Sequence, residues 1–207
     1  MKHTIVTTLL AAAIALPAMA TAQDAPRRTY ALVVANNGSV DAGVEPLRYA
    51  DDDGARFYEL FDSMDDEAYL LTTLDDDSQR VFVNLAQKTK PPSKENLNAR
   101  VAALAAKIAK EREAGVQTEV YLVFTGHGNV NDGGEGYLSL TDQKLLRSDL
   151  QRDVIRPLGA DYTHLIIDAC HAYFMVRSRG GGEWQDDRSG ETLDGAFNAY
   201  LSGKTTG

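Results

Sequence analysis

Short apolar runs rich in β-branched residues alternate with stretches of helical spacing, and this alternation restricts the fold more than any other feature of the chain. The runs are YALVVA (30–35), EAYLLTTL (67–74), TEVYLVF (118–124) and THLIID (163–168), each bounded by turn-forming or charged residues, as buried strands are. Between the first two, residues 51–64 set Phe57, Leu60, Phe61 and Met64 on one helical face, with aspartates in the first turn where the helix dipole favours them. Pro91-Pro92-Ser93 opens a longer helix in which Leu97, Val101, Leu104 and Ile108 recur at helical spacing, with a stop at Gly115. Ser148-Asp149-Leu150-Gln151 has the form of a capping box and predicts a short helix ending before Pro157; Leu193–Leu201 predicts a last one. The expectation is an α/β fold: a mostly parallel sheet with helices on both faces, a three-layer sandwich.

In such sheets ligands bind outside the carboxyl ends of the strands. The stretch FTGHGNV (124–130) follows one strand, and Cys170 directly follows another. If those strands are neighbours, His127 and Cys170 open into one crevice. An imidazole beside a thiol favours the thiolate nucleophile and then protonates a leaving amine, which is the minimum machinery for acyl transfer. Gly126 and Gly128 leave room for a substrate backbone, and the amides of Gly128 and Cys170 are placed to stabilise an oxyanion. Taken alone, a Gly-His-Gly turn fits plain chain reversal equally well, and a lone cysteine fits an inert buried residue.

The first 25 residues, MKHTIVTTLLAAAIALPAMATAQDA, have a basic start, a short apolar core and small residues at Ala18, Ala20 and Ala22. This is the pattern of a secretory signal peptide covering residues 1–22, with cleavage after Ala20 or Ala22. The expected mature chain, 23–207, is a single domain, exported to the periplasm or secreted, and not held in a membrane. Its net charge of −9, concentrated in Asp51–Asp53, Asp65–Asp66 and Asp75–Asp77, argues against nucleic acid and favours cations or basic peptides. With one cysteine, no intramolecular disulfide forms. Residues 176–190, VRSRGGGEWQDDRSG, predict a long exposed loop.

YLVFTGHGN and HLIIDACHAYF resemble the two catalytic blocks of the caspase-like cysteine peptidases, the group of caspases, metacaspases and their bacterial relatives. LRYADDDGARFYELF (47–61) is similar to the block after that family's first strand. The resemblance runs from about Tyr30 to Phe174. It implies a cysteine endopeptidase with His127 as general acid/base, Cys170 as nucleophile, and Gly128 and Cys170 supplying the oxyanion amides. It also implies that Asp168 and Asp53 line the primary specificity pocket, as in metacaspase-like members. Caspases that require aspartate carry Gln-Ala-Cys at the nucleophile; Asp168 here favours arginine or lysine, which a carboxylate binds through bidentate, charge-assisted hydrogen bonds. Substrates are then proteins or peptides with basic residues. Arg177, Arg179 and Arg188 are candidate self-processing sites in the exposed loop. The family's sheet ordinarily continues for two strands past the cysteine block, so a chain stopping at Gly207 predicts a shortened or partial catalytic domain.

The reaction requires no cofactor. Some metacaspases use calcium, but Asp51–Gly54 lacks the alternating ligands of an EF-hand loop, and no zinc spacing is present. His164 and His171 are expected to be structural, the latter turned away from the thiol by strand alternation. Two other functions fit the same residues: a non-catalytic caspase-like module that binds peptides or partners, and a Cys-His hydrolase acting on a non-peptide acyl group.

Overall fold

The computed structural model describes residues 26–64 and 67–176. Along the chain run β1 (Arg27–Asn36), α1 (Ala50–Ser63), β2 (Glu67–Leu71), α2 (Asp76–Val81), α3 (Lys94–Glu113), β3 (Gln117–Gly126), β4 (Gly128–Val130), β5 (Gly136–Ser139), β6 (Lys144–Leu146), a helical stretch over 147–158, β7 (Tyr162–Asp168) and a turn of helix at Tyr173–Val176. The expected signal peptide (1–22), the loop of 176–190 beyond Val176 and the Leu193–Leu201 helix lie outside the described residues. Residues described up to Met175 belong to one compact unit.

The α/β architecture is the one the alternating pattern predicts. Four strands pair in parallel in the order β2-β1-β3-β7. Because β1 and β3 are buried on both faces, they read as continuous apolar runs rather than alternating ones. Side chains still alternate between the two faces. Tyr30, Leu32, Val34, Val120, Leu122 and Phe124 meet Leu97, Val101, Leu104 and Ile108 of α3, the four residues the helical spacing singles out. Each such buried side chain contributes about 2 kcal/mol relative to exposure. The opposite row, Ala31, Val33 and Val123, meets Ala55 and Phe61 of α1.

Helix α1 presents to the sheet only part of the face its large apolar residues predict, Phe57 and Phe61, together with a run of small residues beside them. Ala50, Asp51, Gly54, Ala55 and Phe61 are buried, while Leu60 and Met64 stand out in solvent. Close approach explains the difference. A Cβ at Gly54 would stand 2.3 Å from that of Ala35, so only small residues fit this seam. Other elements also depart from expectation. Strand β2 ends at Leu71 rather than Leu74. The acidic turn at 75–78 is a helix start: Asp75 caps α2, accepting from the amides of Asp77 and Ser78 at 3.0 and 2.8 Å. The helical stretch begins at Arg147, winds as a π-helix over Leu150–Ile155, and continues past Pro157 to Leu158, where Gly159 ends it in the left-handed region at φ 60°. The widened π turn gives the proline ring room where a regular α-helix would press it against a preceding carbonyl. Finally, β4, β5 and β6 form a small antiparallel sheet directly after His127, where the sequence predicts none.

Candidate active site

Strands β3 and β7 are neighbours, and Thr125 pairs with Asp168 at their carboxyl ends. His127 and Cys170 each lie two residues beyond that pair, on the same edge of the sheet. The segments carrying them touch. A Cβ at Gly128 would stand 2.6 Å from the Cys170 carbonyl oxygen and 3.1 Å from the Ala169 Cβ, so glycine is what permits the approach. Cys170 is a free, exposed thiol, and His127 is half-buried. On the other side Gly126, at φ 151°, leaves no room for a Cβ, which would meet the Asn36 carbonyl oxygen at 2.7 Å.

The imidazole is held at one nitrogen. His127 Nε2 lies 3.1 Å from the Glu45 carbonyl oxygen. A carbonyl only accepts, so Nε2 carries the hydrogen, and in the neutral ring Nδ1 is left with the lone pair. The His127 main chain is held as well, its carbonyl accepting from the Ser139 amide at 2.9 Å. That bond makes Gly128, opposite Leu138, a non-hydrogen-bonded position of the antiparallel ladder, so the Gly128 amide is turned away from β5.

The three aspartates at the start of α1 have separate surroundings. Asp51 is fully buried: it accepts from Asn37 Nδ2 at 2.6 Å and the Asp75 amide at 2.8 Å, while its own amide donates to Asn37 Oδ1 at 3.2 Å. Asp52 accepts from the Ser78 hydroxyl at 3.0 Å. Asp53 is the one that meets the site. Thr125 points to the α1 face, its hydroxyl donating to the Ala50 carbonyl at 2.6 Å, and the register puts Asp168 on that same face. Burial pushes the Asp53 carboxyl up from its ordinary range, and the neighbouring charge of Asp168 pushes it further. The acid run is therefore divided among a buried tie, a helix contact and a carboxylate near Asp168. Among the described residues, no three His, Cys, Asp or Glu side chains group closely enough to hold a metal ion.

Of the other histidines, His164 donates to the Glu119 carboxylate at 2.6 Å and stacks on Tyr121 with centroids 4.6 Å apart, a surface structural role. Strand alternation does not apply to His171, because β7 ends at Asp168 and His171 sits in the following turn at φ 59° with its ring 6.3 Å from that of Phe174. The Glu45 carbonyl is the site group that motif reasoning misses, since a main-chain oxygen has no residue-type signature. Its one signal is Pro46, which biases the preceding residue toward extended backbone.

A comparison with curated proteins finds no match. The Peptidase C14 caspase domain matches residues 28–200, most of the chain, and the match takes in both strand-end blocks that meet at this crevice. By that match and by its parallel α/β sheet, the chain belongs to the caspase domain family, whose members are cysteine peptidases acting on proteins.

Proposed function

We propose that this protein is an exported cysteine endopeptidase that hydrolyses peptide bonds after arginine or lysine, with Cys170 as nucleophile and His127 as general acid/base. The observation that carries the reading is the pairing of β3 with β7, which sets His127 and Cys170 at equivalent ends of adjacent strands, with the imidazole's Nε2 against the Glu45 carbonyl and Nδ1 as the other ring nitrogen. Nδ1 takes the thiol proton as sulfur attacks the scissile carbonyl carbon. The oxyanion that forms is met by the amides of Gly128, already turned off the β5 ladder, and of Cys170. The imidazolium then protonates the leaving amine as the C–N bond breaks. Water, deprotonated by the same nitrogen, attacks the thioester, and the carboxylic acid leaves as the thiol is restored. No cofactor enters these steps.

Asp168 and Asp53 supply the specificity. Two carboxylates facing one space repel each other, and a guanidinium or ammonium entering between them removes the repulsion while gaining charge-assisted hydrogen bonds. The basic start, apolar core and Ala-x-Ala of residues 1–22 support export. The deciding experiment is cleavage of a peptide reporter with arginine before the scissile bond. Activity is expected from the full chain and none from Cys170→Ala; a Cys170→Ala chain that cleaves at the parent rate overturns the reading. Labelling of Cys170 by a basic peptidyl electrophile, lost in His127→Ala, separates a peptidase from a module that only binds peptides.

A further inference from the structure

The connection between β1 and α1 carries the carbonyl that touches the imidazole, yet it has little apolar anchorage. Val44, Leu47 and Tyr49 are 42%, 39% and 65% exposed. Its course is set instead by polar ties. The Leu47 amide donates to the Asn37 carbonyl at 2.8 Å, and the Val44 amide to that of Asp41 at 3.4 Å. Asp41 in turn reaches across to the small sheet. Its carboxylate accepts from the Tyr137 hydroxyl and pairs with Lys144 Nζ at 2.9 Å, while Lys144 also sits 4.1 Å from the centre of the Tyr137 ring. Tyr137 is buried on β5, two residues before Ser139, whose amide holds the His127 carbonyl. One strand therefore fixes the histidine's main chain directly and, through Asp41, the loop that fixes its ring.

We infer that Asp41, clamped by Tyr137 and Lys144, is a positioning residue that keeps the Glu45 carbonyl on His127 Nε2 and so holds the imidazole with Nδ1 free to accept the thiol proton. The inference rests on the reading of His127 as general acid/base. In the other tautomer the Nε2 lone pair would face the carbonyl oxygen and repel it, so the carbonyl selects the ring state only while the loop keeps it in place. The Asp41 carboxyl is held below its ordinary range by the Tyr137 hydroxyl, then by the Lys144 ammonium, with a smaller electrostatic part from His127. The clamp is thus ionised in the folded protein and sits within electrostatic reach of the ring it serves.

The test uses the full chain with its histidines labelled with ¹⁵N, on the Cys170→Ala background for spectroscopy and with the thiol intact for kinetics. The parent is expected to show a slowly exchanging Nε2 proton on His127. Asp41→Ala, and separately the Tyr137→Phe/Lys144→Met pair, should lose that resonance, and each should lower kcat about tenfold with KM within about twofold, the pattern of a misplaced proton acceptor rather than weakened binding. Asp41→Asn, which keeps an acceptor for Tyr137 and loses the ion pair, should fall between. The clamp is overturned if both variants melt as the parent does and retain the protected Nε2 proton and the parental kcat. A chain inactive in every form, whose protected proton nevertheless disappears in Asp41→Ala, would overturn the peptidase reading and leave the clamp standing.

Discussion

Thr125 and Asp168 are register partners on neighbouring parallel strands, and both face the N-terminal end of α1. Asp168 is thereby brought to Asp53, far away in sequence, while the residues two further on are His127 and Cys170. In the proposed reading, specificity and chemistry are thus set by one register. Asp168→Asn is expected to lower kcat/KM on an arginine peptide about 10²-fold, the loss of one charge-assisted contact, and to leave alkylation of Cys170 by iodoacetamide unchanged. Matched peptides with arginine and glutamine before the scissile bond give the comparison.

Asp53 also has a measurable effect on stability. Its folded pKa is raised above the ordinary 3.8, first by burial and then by Asp168. A raised value means the fold favours the protonated acid, so this contribution is fully present below the ordinary value and is lost as pH rises through the folded one. Asp53→Asn, neutral throughout, should therefore melt higher than the parent at pH 7. The advantage should vanish once both states of the parent carry the proton. Melting temperatures from pH 3 to pH 8 check the sign.

Gly126 is both in the left-handed half of backbone space and pressed against the Asn36 carbonyl. Gly126→Ala should cost about 2–3 kcal/mol in urea unfolding, since strain and contact act together.

Two buried polar residues should respond in opposite ways. Asp51→Ala strips an acceptor from Asn37 and from the Asp75 amide, and should cost about 3 kcal/mol. Ser139 is 1% exposed and its hydroxyl has no hydrogen-bond partner among the described residues. Ser139→Ala removes that unpaired group and should leave stability within about 1 kcal/mol of the parent, or raise it. Both are read from urea midpoints.

The long apolar runs and the spacing of Leu97, Val101, Leu104 and Ile108 are legible because burial on a sheet face or a helix stripe demands those residue types at those intervals. The small sheet is not, since strands of three and four residues, the first two separated by the turn of residues 131–135, leave no period to detect. The α1 face is misread for a related reason. Large apolar residues dominate any helical pattern, but the tight seam against Ala35 is made by Gly54 and the small residues beside it. At the site, His127 and Cys170 stand out by type and by following strands. The Glu45 carbonyl and the Asp41 clamp are set by tertiary contacts across tens of residues, which a single sequence does not display.

The crevice draws on β1, α1 and β3 before it draws on β7, and among the described strands of this sheet β7, with Cys170 just after it, comes last along the chain. A ribosome therefore releases the imidazole and its supports while the sulfur is still to come. In the proposed reading, every nascent chain up to that point is without its nucleophile, and the thiol meets its base only after the preceding strands have had time to assemble. If the chain cuts other proteins, as proposed, the order of strands along the gene acts as a safety catch during synthesis.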